Sequence, residues 1–161
     1  MRRGVHLIRL LLACWVGVLS AQPQCAVTRY DESNGLVQWY VTQIVQDRQG
    51  MMWFSTWNGL NRYDGYSLQR FKSKPGDGVD IPSDRIQDMM LTADGNLLCQ
   101  LDDRAFLFDV NTYQYKMVPE GQQQTVLKQL KSRIKKNKGD SYVHKDRFGT
   151  TWSIHRNDMG L

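Results

Sequence analysis

A chain of 161 residues is long enough for one domain with a sound core. Its formal charge of +5 comes from 21 Lys and Arg against 16 Asp and Glu, but nine of the bases fall in two short segments and the rest stand at 12 against 16. That mildly acidic remainder argues against a nucleic-acid footprint spread over the surface.

Residues 1–21, MRRGVHLIRLLLACWVGVLSA, read as a secretory signal peptide: Arg2, Arg3 and Arg9 surround the start of an apolar run, Leu10 to Leu19, followed by Ser20-Ala21. The run is short for a membrane-spanning helix, which needs about 20 residues. A lipobox reading at Leu11-Leu12-Ala13-Cys14 would strand Trp15 to Leu19 as an exposed apolar tail. Export leaves Cys25 and Cys99 in an oxidising compartment, where pairing is one option that the sequence alone does not decide. Residues 22–35 form a lead-in, and its β-type run 26–30 is either a ring-closing outer strand or a non-pairing tail.

From residue 36 the chain changes grammar. Three glycine-marked turns, Asp47-Arg48-Gln49-Gly50, Trp57-Asn58-Gly59 and Asp64-Gly65, separate short runs at Tyr40–Gln46, Met51–Thr56, Leu60–Tyr63 and Ser67–Phe71. Runs of that length, rich in β-branched and aromatic residues, predict a four-stranded antiparallel meander over 36–72. The pattern returns with Gly95 in place of Gly50, 45 residues on, and again with Gly149, 54 residues further. Four strands per unit at a period in the mid-forties predict β-propeller blades. The second blade, 81–118, is degenerate, with Thr92 in place of Asp47; the third, 141–161, is only begun. The predicted fold class is therefore all-β: an incomplete ring of about two and a half blades, where propellers close with about 4–8.

The longer second interval is explained by residues 122–138, where Leu127, Leu130 and Ile134 recur at helical spacing and Lys128, Lys131, Arg133, Lys135, Lys136 and Lys138 carry no acid among them. A short amphipathic helix with a basic outer face follows, as a solvated insertion by default. Trp53, Phe54, Leu97, Leu98 and Trp152 fall on second strands and are expected to pack between blades. Asp47 and Asp146 precede their glycines by three positions, so their carboxylates are expected to accept from turn N–H groups. The 71–82 linker holds two prolines and two glycines. An incomplete ring is expected to bare apolar flanks and open strand edges, and so to associate.

No catalytic constellation, metal spacing, phosphate loop or cofactor motif is present. The strings QDRQGMMWFSTWNGLNRYDG and KDRFGTTWSIHRNDMGL resemble the regulator-propeller repeat, D-x-x-G-x-x-W-x-x-T-x-x-G-L-x-x-Y/F-D. That resemblance implies the extracytoplasmic, periplasmic sensor region of a hybrid two-component histidine kinase, with an oligosaccharide ligand. It also implies further blades, a transmembrane segment and kinase domains beyond residue 161, and a possible dimer in the full-length protein. The alternative is a secreted glycan-binding or glycan-cleaving propeller, suggested by the near-match to the Asp-box, whose spacing to glycine is one residue shorter. On either reading, blade approaches and second-to-third turns share one face. They place Trp39, Tyr40, Trp57, Asn58, Arg85 and Arg104 there as candidate ligand-binding residues, aromatic faces for sugar C–H groups and polar heads for hydroxyls.

Overall fold

A computed structural model describes residues 26–73, 81–134 and 141–155. The signal-peptide segment, Cys25, most of the 71–82 linker and the end of the basic stretch lie outside the described residues. The first blade comprises β1 (Val41–Gln46), β2 (Met52–Thr56), β3 (Gly59–Tyr63) and β4 (Leu68–Phe71), hydrogen-bonded in that order. The second comprises β5 (Asp88–Leu91), β6 (Leu97–Gln100), β7 (Ala105–Phe108) and β8 (Tyr115–Met117), again in order. After helix α1 (Glu120–Ile134) come β9 (Ser141–Lys145) and β10 (Thr151–His155), an antiparallel hairpin. Every pairing within the two blades is antiparallel. These are propeller blades, two whole and one begun.

Alternation along the second strands explains how the layers stack. Successive side chains on a strand point to opposite faces, and β2 is buried throughout. Trp53 joins Leu60, Phe71, Met89, Leu97, Phe106 and Phe108 in a core between the two blades. Its neighbours Met52 and Phe54 turn the other way, into a core with Leu36 and Ile44 against which Trp152 and Ile154 of β10 pack. On β6, Leu97 and Cys99 face the first blade, whereas Leu98 faces α1 with Ala105, Val118 and Leu130. The order through the molecule is therefore hairpin, first blade, second blade, helix.

The helix departs from expectation in two ways. Rather than projecting as a solvated insertion, α1 closes the outer flank of the second blade, with Leu130 buried and Val126 and Leu127 partly so. One of the two flanks expected to be bare is thus covered. The helix also starts earlier than its apolar spacing suggested, because Pro119 sits just ahead of it and Glu120 opens its first turn. Both are start signals: proline has no N–H to leave unpaired there, and the carboxylate complements the helix dipole. Of the two options for the lead-in the structure takes the non-pairing tail: residues 26–31 form no strand and a 3₁₀ turn, Glu32–Asn34, is capped by Asp31. Tyr30 enters the seam between first blade and hairpin, its hydroxyl 2.7 Å from that of Tyr63 and its ring 6.0 Å from that of Trp152. Cys99 is wholly buried and, among the described residues, has no disulfide partner.

Candidate functional site

The β2–β3 turn is drawn to the strand approach of the next blade. Gly59 N–H donates to Asp84 C=O at 2.7 Å and Ile86 N–H to Thr56 C=O at 3.1 Å. Between those two anchors lies Arg85, whose guanidinium is held 5.0 Å from the centroid of the Trp57 ring, within cation–π range. Beneath Trp57 lies Tyr40, ring centroids 4.2 Å apart, and Tyr40 meets Trp39 edge-on at 5.8 Å. Beyond Arg85, Asp102 on the β6–β7 turn lies 3.8 Å from its Nε and also accepts from the Gln87 side chain.

The result is a ladder, Trp39, Tyr40, Trp57, Arg85, Asp102, running from the first blade to the second on one face. Trp39 is 58% exposed and Trp57 42%. Exposed indoles aligned with a guanidinium form a surface with apolar faces and a polar fork, the chemistry that suits a pyranose ring. The Arg85–Asp102 pair is open to water on both sides and therefore weak. The arginine can turn its remaining donors to a ligand without losing much.

Of the residues expected to share this face, Trp39, Tyr40, Trp57 and Arg85 come together. Asn58 sits in the turn itself, its backbone N–H donating to Thr56 Oγ1 at 3.1 Å. Arg104 lies on the same turn as Asp102 but pairs with its neighbour Asp103, 3.6 Å away, and is not in the ladder. Asp102 and Gln87 were missed, and only their meeting with Arg85 reveals them.

The aspartates of the opposite face are structural. Asp47 Oδ1 accepts from Gln49 and Met51 N–H at 2.8 and 2.9 Å. Asp146 Oδ1 accepts from Phe148 and Thr150 N–H, both at 2.9 Å. Partial burial works to raise the Asp146 pKa. Hydrogen bonds from the Trp152 indole and from the Thr150 and Phe148 amides outweigh it, and the carboxyl is held below its ordinary value.

Residues 37–58 match the two component regulator propeller family. Over 48 residues the chain is 38% identical to a protein named histidine kinase P4 from Formosa agariphila, a match taking in 30% of this chain and 4% of that protein. Among solved structures, the extracellular domain of a protein described as a hybrid two component system, from B. thetaiotaomicron, superposes with a TM-score of 0.51 and 22% identity, over 56% of this chain and 13% of the other. At that identity the likeness is one of fold. The chain spans a small part of each protein it matches, and its likeness to the two component regulator propeller repeat rests on residues 37–58.

Proposed function

We propose that this chain is the N-terminal, periplasmic sensor segment of a hybrid two-component histidine kinase, and that its ligand is an oligosaccharide released from a polysaccharide. The observation carrying this reading is the exposed ladder of Trp39, Tyr40, Trp57 and Arg85, which bridges two blades on one face. Stacked aromatic faces cover sugar C–H groups, and the guanidinium fork takes hydroxyls or a uronic carboxylate. A ligand held across two blades favours one relative arrangement of them, and that bias is what a propeller passes on to a membrane segment. Catalysis belongs to kinase domains elsewhere in the parent protein.

The test is calorimetry of the protein against a panel of neutral and uronic-acid oligosaccharides. For a sugar that the unaltered protein binds, Trp57→Ala and Arg85→Ala each weaken affinity while the circular dichroism spectrum stays the same. Undiminished affinity in both variants overturns the site.

A further inference from the structure

The residue after each turn aspartate has a function that the repeat pattern does not state. Arg147, which follows Asp146, reaches from the hairpin into the first blade's β1–β2 turn: its Nη2 donates to Gln49 C=O at 2.8 Å, and its backbone N–H to Gln46 Oε1 at 2.9 Å. Arg48, which follows Asp47, makes the same move one blade on, its Nη2 donating to Ala93 C=O in the β5–β6 turn. In both, the arginine side chain lies over the turn glycine, by its guanidinium at Gly50 and by its Cγ–Nε stem at Gly95. A Cβ at Gly50 would come within 2.6 Å of Arg147 Cζ, and one at Gly95 within 3.4 Å of Arg48 Cδ. Both positions need glycine for a positive φ, 95° and 88°; at Gly50 a Cβ would also displace the Arg147 guanidinium, whereas at Gly95 it would only touch the Arg48 stem.

The relay has a direction. It runs from hairpin to first blade to second blade and stops there, since the second blade has Ala93 where the others have arginine and its outer flank is occupied by α1. At the other end, the hairpin's own turn, Asp146 to Gly149, has the same geometry, with Gly149 at φ 87°. Among the described residues only Lys145 Cε approaches the space over Gly149, at 3.9 Å, and Phe148 beside it is 75% exposed.

We propose that the turn 146–149 is an open socket for the arginine of an Asp-Arg-x-Gly turn on a further blade of the same repeat, and that this arginine sets which blade docks beside which. The occupant is specified by continuity with the two filled sockets. A guanidinium has five N–H donors in a flat fork that spans two turn carbonyls, whereas an ammonium acts as a point charge.

The test is amide chemical-shift mapping on the ¹⁵N-labelled chain titrated with N-acetylarginine amide, with N-acetyllysine amide as control. The expected result is that the arginine probe shifts the amides of Arg147, Phe148 and Gly149 and leaves 48–50 and 93–95 unmoved, and that the lysine probe shifts none of the three turns. Arg147→Ala should then make 48–50 responsive, and Arg48→Ala should do the same for 93–95. A silent 146–149 turn alongside responsive freed turns overturns the socket. No response at either freed turn overturns arginine as the recognised group. Shifts at 146–149 that follow protein concentration instead of probe assign the socket to a second copy of this chain and overturn the proposed occupant.

Discussion

The indole N–H of Trp53 donates to Oδ2 of Asp47 at 2.8 Å, with both side chains buried. Trp152 and Asp146 repeat the bond at 3.0 Å. In the degenerate second blade Thr92 stands in for the aspartate and Leu98 for the tryptophan, so acceptor and donor are lost together. Thr92 Oγ1 there serves only the turn, accepting from Asn96 N–H at 3.1 Å. A buried indole without an acceptor costs about 1–3 kcal/mol, which accounts for the pairing of the two changes.

A double-mutant cycle should recover that coupling. Asp47→Thr and Trp53→Leu are each expected to destabilise the protein in urea. The combined variant should be about 1–2 kcal/mol better than the sum of the two, because it removes donor and acceptor at once. Strict additivity would mean that the bond adds nothing beyond packing.

Trp53 and Trp57 lie four residues apart and should behave oppositely. Trp53 is fully enclosed between blades, so Trp53→Ala should cost about 3–5 kcal/mol. Trp57 is partly open on the ladder, and Trp57→Ala should lower the melting temperature far less. Within the same surface, Arg104→Ala should affect sugar binding less than Arg85→Ala, given its separate pairing with Asp103.

The helix-covered flank predicts a change in association. Leu130→Asp places a charge where α1 meets Leu98, Ala105 and Val118, and should undock the helix. Size-exclusion chromatography should then show larger species than for the unaltered chain. A profile that stays unchanged while the helical circular dichroism signal falls would show that the flank does not attract partners.

Stability should fall at both ends of the pH scale. Asp64 is held below its ordinary 3.8 by Ser67 and Tyr66 N–H groups, Asp109 by those of Asn111 and Thr112, and Asp146 as described. A depressed carboxylate stabilises the fold fully above its unfolded value of 3.8. That contribution is lost as the pH drops through the lower folded value. Tyr63 has the reverse sign. The hydrogen bond with Tyr30, then burial, push its pKa from 10.0 up to about 12, so the stabilisation holds below 10 and disappears as the pH rises toward 12. Melting curves from acid to alkali should show both losses, and Tyr30→Phe should weaken the alkaline one.

The strands and turns were legible because their causes are local: glycines at positive φ, short apolar runs and Asx turns all lie within a few residues of what they determine. The ladder was partly legible, since strand order alone brought Trp57 near Arg85, but the partnership of Asp102 depends on where the β6–β7 turn comes to rest. The placement of the hairpin beside the first blade was not legible. It depends on Trp152 meeting Phe54 and Tyr63 and on Arg147 meeting a turn about a hundred residues earlier. Nor did apolar spacing distinguish a helix facing water from one lying on a blade, since either presents Leu127 and Leu130 on the same side.

Gln123 shows how tightly that helix and that sheet are joined. Its side-chain carbonyl accepts from Ala105 N–H at 2.7 Å, and its amide nitrogen donates to Val118 C=O. A primary amide offers the same donor and acceptor as a peptide group, so one side chain of α1 supplies the next rung of the β7–β8 ladder. The boundary between the blade and what looks like an insertion therefore does not follow the change in secondary structure. Cutting out the helix to restore an ideal repeat would remove part of the sheet and leave a buried N–H and a C=O facing each other with nothing between them.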